Sequence, residues 1–207
     1  MVTVTADDDA VLRVDRRNFF KHGAASVARV VKERLQASCN ARAQRWIRPP
    51  HALPEVDFLL ACTRCDACVE ACPHGVVFLL PLSCGVQVAG TPALDLAHKG
   101  CHLCDDWPCV AACQSKALQL PDAELPATLP ILARVSIDPE LCLPYQGPEC
   151  GVCQGVCPQP AALLWDGAKP YIDSEKCVGC ALCREACFLE EKAIRILSTH
   201  AQATPNP

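Results

Sequence analysis

A chain of 207 residues is long enough for one large domain or two small ones, yet it has only five Phe, two Tyr and one Met with which to build a core. It has eighteen cysteines instead, a load that implies either a disulfide framework or a fold organised around metal. The net charge of -4 conceals a basic first fifty residues, with ten Lys or Arg against five Asp or Glu, ahead of an acidic remainder. That balance excludes nucleic acid as the partner of the main body, because phosphate contacts need clustered positive charge, and it suits steering toward basic protein partners. No run of eighteen apolar residues is present, so no segment is predicted to span a bilayer as a helix.

In chain order, the first feature is Asp15, Arg16, Arg17, Asn18, Phe19, Phe20 and Lys21, which looks like a twin-arginine export signal. The apolar stretch such a signal needs is short here, because Arg29, Lys32, Glu33 and Arg34 interrupt it. Val27, Val30, Val31 and Leu35 fall instead at helical spacing among basic residues and predict a basic amphipathic helix. The expectation is a chain retained in the cytoplasm, able to lie at the inner-membrane surface, with periplasmic export as the alternative. Residues 1–50 are read as this basic arm, 51–199 as the body and 200–207 as a tail.

The body is a fourfold repeat of cysteines. Set one is Cys62, Cys65, Cys68 and Cys72; set two is Cys101, Cys104, Cys109 and Cys113. Set three is Cys142, Cys150, Cys153 and Cys157, and set four is Cys177, Cys180, Cys183 and Cys187. Each set is followed by an apolar run, as in PHGVVFLL, QSKALQL, QPAALLW and LEEKAIRIL, for which a short helix and then a strand are expected. Tyr171, Ile172 and Asp173 read as a small strand entering set four, and Pro92, Pro121, Pro126, Pro130 and Pro139 forbid long helices between sets. The fold class expected is α+β, loop-rich, built of bacterial-ferredoxin-like modules.

The spacing names the metal chemistry. A cubane 4Fe-4S cluster needs four thiolates around one small object: three cysteines two residues apart on a curling loop reach three corners, and the fourth comes from elsewhere. Sets one and four have the C-x2-C-x2-C-x3-C spacing in full, with Pro73 after set one and Phe188 after set four. Set two lengthens the gap from Cys104 to Cys109, and set three lengthens that from Cys142 to Cys150, so each places an extra loop over its cluster. Such loops are expected to separate the potentials of the four clusters, through solvent access and hydrogen bonds to sulfur. Structural zinc uses two separated C-x2-C pairs, and disulfides would not recur in this pattern, so all sixteen cysteines are predicted ligands of four 4Fe-4S clusters.

Cys39 and Cys84 are left over and are assigned no role. His74 and His102 adjoin ligand cysteines, where hydrogen bonding to sulfur competes with plain exposure as their use. Trp107 and Trp165 lie where large rings would shield a cluster, or simply pack. No Gly-rich nucleotide motif is present, and the expected role is that of an electron carrier without its own substrate site.

Arg48 to Pro50, the CTRCDAC loop, AGTP at Ala89 to Pro92, C-x2-C-x-D-x-P-C at Cys101 to Cys109, Gln146–Gly147 and the CFLEEKAI ending resemble the NapG/MauM type of polyferredoxin accessory protein. That family belongs to periplasmic nitrate reductase and methylamine dehydrogenase gene clusters, and the front end is also similar to NapF. The resemblance implies four clusters, with partners that are an oxidoreductase or a membrane quinol-oxidising protein. It also allows a role in maturing a molybdenum or quinone-cofactor enzyme. Pairing of the sets is open between tandem and nested modules. Nesting is favoured, because the regular outer sets match each other, as do the irregular inner sets. In that arrangement Cys187 joins Cys62, Cys65 and Cys68, while Cys72 joins Cys177, Cys180 and Cys183.

Overall fold

The computed structural model describes residues 45–121 and 129–200, together with Arg34 and Ala43. The twin-arginine motif, the helix expected around Val27 to Leu35, Cys39, Pro126 and residues 201–207 lie outside the described residues.

No described element is long. Pro54 precedes α1 (Glu55–Ala61), whose first turn carries Glu55 and Asp57, where the helix dipole favours negative charge. Then follow α2 (Ala67–Glu70), β1 (Val77–Leu79), a 3-10 turn (Leu82–Cys84), β2 (Pro92–Leu94) and α3 (Pro108–Ala111). The second half holds β3 (Ala133–Ile137), α4 (Leu143–Gln146), β4 (Leu163–Asp166), β5 (Lys169–Ile172), α5 (Leu182–Ala186) and β6 (Ile194–Ser198). Tyr171 and Ile172 close β5, and Asp173 follows it, accepting from the Glu175 N–H.

The short helices do not follow the fourth cysteine of a set, as the apolar runs suggested. They carry the third cysteine and end before the fourth, in α2, α3 and α5, and the chain turns at once after Cys72 and Cys113. Pro73 and the left-handed Gly75 stop a helix after set one, and Lys116 at φ 56° does so after set two.

Two modules repeat one plan. An antiparallel hairpin, β1–β2 or β4–β5, joins consecutive cysteine sets, and an outer antiparallel pair closes the module. In the second module that outer pair is the β3–β6 ladder, from Ala133↔Ser198 to Ile137↔Ile194. In the first it shrinks to the bridge Ala52↔Leu118, flanked by Leu53 N–H to Ala117 O and Gln119 N–H to His51 O. One core runs through both modules, from Phe58, Leu96 and Leu118 to Val178 and Ala181, and cysteines fill much of it.

Glycine lets the modules touch. A Cβ on Gly100 would lie 2.6 Å from Leu182 Cδ2 of the other module, while within the second module one on Gly179 would lie 2.1 Å from the Ala133 carbonyl oxygen. Across the same seam the Gly100 N–H donates to Glu185 Oε2 at 2.8 Å, and Arg184 Nε donates to Ala97 O at 3.0 Å.

The front of the first module is pinned by Arg48. Its guanidinium pairs with Glu55 at 2.6 Å and 2.9 Å and donates to Thr91 Oγ1 and to Pro92 O. It also lies 4.5 Å from the Phe58 ring centroid. Two motifs of the sequence, Arg48 to Pro50 and Ala89 to Pro92, therefore meet on one side chain. With the pair 9% and 1% exposed, removing one partner strands a buried charge. Arg48→Ala is expected to cost about 3–5 kcal/mol in anaerobic denaturant unfolding, while Arg48→Met with Glu55→Leu recovers most of that loss.

Candidate metal centres

Three of the four cysteine loops, those of sets one, two and four, are shaped by left-handed residues beside the second cysteine. Arg64 and Asp66 flank Cys65, Leu103 precedes Cys104, and Gly179 and Ala181 flank Cys180, all with positive φ. Asp66, Trp107 and Ala181 then cap α2, α3 and α5 from the left-handed region. Non-glycine residues there cost on the order of 1–3 kcal/mol each and persist where the surroundings demand them, typically at binding sites. The curl turns the thiols of a set toward one point. The helix that follows carries the fourth thiol about one turn further along.

The cysteines gather into four groups of four. Site I is Cys62, Cys65, Cys68 and Cys113: burial first, then the facing thiols of Cys113, Cys62 and Cys65, push the Cys68 thiol up to about 11. Site II is Cys72, Cys101, Cys104 and Cys109, all four lining one cavity with Pro50, His74 and Trp107. Site III is Cys142, Cys150, Cys153 and Cys187 around a cavity shared with Trp165 and Phe188. Site IV is Cys157, Cys177, Cys180 and Cys183, walled by Val135, Leu163 and Ala181. The last three cavities leave about 340 Å³, 400 Å³ and 350 Å³ free of atoms, counted out to their open mouths.

The nested pairing is therefore corrected. Cys113 sits with Cys62, Cys65 and Cys68, whereas Cys187 sits with Cys142 and Cys153. Sets one and two exchange their fourth cysteines, as do sets three and four. The reason is local: each hairpin returns the chain beside the set it has just left, and α2 packs against α3. Consecutive elements meet at a small loop-closure cost, and regular spacing reports the shape of a loop rather than the identity of its partner.

The donor set fits iron-sulfur clusters. Buried thiols crowded together hold their protons: Cys109 is pushed up to about 12 by burial and then by Cys101 and Cys72. Cys183 reaches about 12 through burial, then Cys180, Cys177 and Cys157, and lastly Cys153 of site III. Cys101 rises to about 11, again through burial first, with Cys104, Cys180 and Cys72 adding to it. Such groups ionise together only when a cation offsets their repulsion, and thiolates select soft centres such as iron-sulfur clusters or zinc. Among the described residues no three Cys, His, Asp or Glu close on a single ion. Main-chain donors also reach the sulfurs. The Leu118 N–H donates to Cys113 Sγ at 3.3 Å, and at Cys72 the N–H groups of Val76, Val77, His74 and Gly75 outweigh burial and lower its thiol.

Trp107 and Trp165 each line a cavity, at sites II and III. His74 and His102 stack face to face at 3.6 Å, both exposed, beside site II. Cys84 is half-buried at the end of the 3-10 turn and belongs to none of the four groups. Sequence reasoning missed His51, which meets the Trp107 ring edge-on at 4.6 Å and buries an Nε2 that has no partner among the described residues. No spacing marks that histidine; only its position two residues after Pro49 in the Arg48 to Pro50 motif hints at it.

Known proteins carry the same features. A 4Fe-4S dicluster domain family matches residues 134–188, and a 4Fe-4S binding domain family matches residues 59–78. The chain is thus a ferredoxin-type protein with 4Fe-4S domains made of small helices and strands. It is 37% identical over 188 residues to the methylamine utilization ferredoxin-type protein MauM of Paracoccus denitrificans, covering 84% of this chain and 79% of that one. It is 38% identical over 205 residues to the ferredoxin-type protein NapG of Haemophilus influenzae, covering 90% and 72%. The ferredoxin-type protein NapF of Escherichia coli is 30% identical over 77% of this chain and 90% of its own. The chain belongs to the MauM and NapG family of ferredoxin-type proteins. No solved structure matches.

Because Cys68 and Cys113 share a site, Cys68→Ser and Cys113→Ser are expected to remove or alter the same cluster signal in low-temperature EPR, and the double variant to add little. Cys68→Ser with Cys187→Ser is expected to alter two signals additively, since those residues belong to different sites.

Proposed function

We propose that the chain carries four 4Fe-4S clusters, one at each of sites I to IV, and passes single electrons between a quinol or other reductant and a respiratory oxidoreductase such as a nitrate reductase system. The observation that carries this reading is the grouping of sixteen cysteines into four sets of four, three of them around separate cavities. When bound, the clusters supply reversible one-electron storage. The residues supply the rest: thiols hold the metal, main-chain N–H groups bond to sulfur, and Trp107 and Trp165 limit water. The body works as two tandem modules behind a basic N-terminal arm, residues 1–50, with a short tail after residue 199. No substrate site is assigned, and no nucleic acid partner.

The partners we infer are redox proteins, an oxidoreductase or a membrane quinol-oxidising protein. No described helix is long and apolar enough to cross a membrane, so contact with a quinol-oxidising partner would be peripheral. We place the chain in the cytoplasm, at the inner-membrane surface; the motif around Arg16 and Arg17 favours periplasmic export as the second location. Replacing both arginines by Lys and fractionating cells separates them, because loss of a periplasmic pool would establish export. A second functional reading, a docking or maturation factor for a molybdenum or quinone-cofactor oxidoreductase, is favoured by relatives named for methylamine utilization. Tight binding to an apo-oxidoreductase regardless of redox state would select it.

Anaerobically purified protein is expected to hold about sixteen iron and sixteen sulfide per chain, four of each per cluster. Chelation should unfold the body cooperatively, since so much of the core is cysteine. A colourless preparation without sulfide, even after reconstitution, would overturn the proposal.

A further inference from the structure

Within each module, neighbouring sites are one helical turn apart. Cys68 of site I and Cys72 of site II are four residues apart on either side of the end of α2, and Cys109 and Cys113 bracket the end of α3 in the same way. In the second module Cys183 of site IV and Cys187 of site III are joined by a hydrogen bond from the Cys187 N–H to Cys183 O at 3.2 Å. Between modules there is a single comparable join. The Cys101 N–H of site II donates to Cys180 O of site IV at 2.7 Å, and both residues are buried. Gly100, immediately before Cys101, is the position where a Cβ would push the modules apart, and Gly179, immediately before Cys180, lets set four pack closely on Ala133 of its own module. Among the described residues no other backbone hydrogen bond links cysteines of different modules.

We infer that electrons cross the molecule in the order site I, site II, site IV, site III, and that the Cys101–Cys180 hydrogen bond is the crossing between modules. This rests on the four-cluster reading. The order differs from chain order, because set four, not set three, abuts the first module. Each hop oxidises one site by one electron and reduces the next by one, with no bond made or broken. The electron enters from a one-electron reductant at one end and leaves to a one-electron oxidant at the other. Sites I and III are the ends, and both reach the surface. Cys65 is exposed at site I with Leu60 nearby in sequence at 81% exposure, and Phe188, 63% exposed, lies over site III. Sites II and IV are the middle stations of the route. Glu185 and Arg184 hold the crossing closed by reaching back to Gly100 and Ala97, and so act as positioning residues.

The test uses the full-length, anaerobically loaded protein, with iron and sulfide counted first. A chain that takes up fewer than four clusters overturns the four-cluster reading and the route with it. In a four-cluster chain, the route is tested by removing single sites, with Cys104→Ala and Cys109→Ala for site II and Cys65→Ala and Cys113→Ala for site I. After a substoichiometric pulse of methyl viologen radical, freeze-quenched EPR follows how the electrons redistribute. Loss of equilibration between modules when site II is removed, with equilibration retained when site I is removed, is the expected result. Retention without site II, or loss without site I, overturns the route while leaving the four-cluster reading intact. Should the site II variant fail to fold, dipolar EPR of the fully reduced native protein decides. One inter-module interaction comparable in strength with the two intra-module ones supports the route, and none, or more than one, overturns it.

Discussion

Four thiols facing one another in an apolar cavity cannot all ionise unless positive charge is brought in among them, and the rest of this molecule is arranged around that constraint. Burial and mutual repulsion push Cys68, Cys101, Cys109, Cys153 and Cys183 well above the ordinary thiol range. Without metal the groups are proton-holding, weakly packed pockets at the centre of the chain. With it, the same groups become cross-links between elements that are too short to be stable alone. Helices of four to seven residues and ladders of three to five fall below what isolated segments sustain, so the cross-links carry what propensity does not.

The core composition follows from the same fact. Large side chains are scarce, and the main cluster of buried residues mixes Phe58, Leu96 and Leu118 with Cys68, Cys101, Cys109 and Cys180. Where no cysteine group ties the chain, other devices do. Arg48 binds α1, through Glu55, to the entry of β2, through Thr91 and Pro92, and shields the pair against Phe58. In the second module, the long β3–β6 ladder takes the place of the single Ala52↔Leu118 bridge of the first. The two modules thus share a plan but not a means of closure.

Much of the chemistry was legible in the sequence, because ligand spacing is a local property of a loop. The C-x2-C runs, the x3 step to the fourth cysteine and the strand at Tyr171 and Ile172 are all written in adjacent residues. Which set completes which site is not local. It is decided by hairpins whose strands, Val77–Leu79 and Pro92–Leu94, are too short to declare themselves and are separated by a dozen residues of turn. The left-handed residues were also hidden, since Arg64, Asp66, Leu103 and Ala181 occupy positions where glycine would have been the usual signal. His51 was invisible for a related reason: its ring matters only because the Ala52↔Leu118 bridge sets it against Trp107.

The departures from regular spacing now have places in the molecule. In set two the longer gap from Cys104 to Cys109 carries Trp107 into the wall of a middle site, while in set three the gap from Cys142 to Cys150 forms α4, whose Leu143 and Pro144 line a terminal one. Tyr145 of α4 donates its hydroxyl hydrogen to Pro170 O, which ties that insertion to β5 and keeps it over the cavity. Solvent access and hydrogen bonds to sulfur set cluster potentials, so on the four-cluster proposal unequal walls built on an otherwise repeated plan would separate the sites energetically. Sets one and four, without insertions, place their loops differently: one leaves Cys65 at the surface, and the other meets Gly100 through Leu182 at the seam between modules. Equal sequence spacing therefore does not produce equal surroundings, and the seam rather than the motif distinguishes the loop of set four from that of set one.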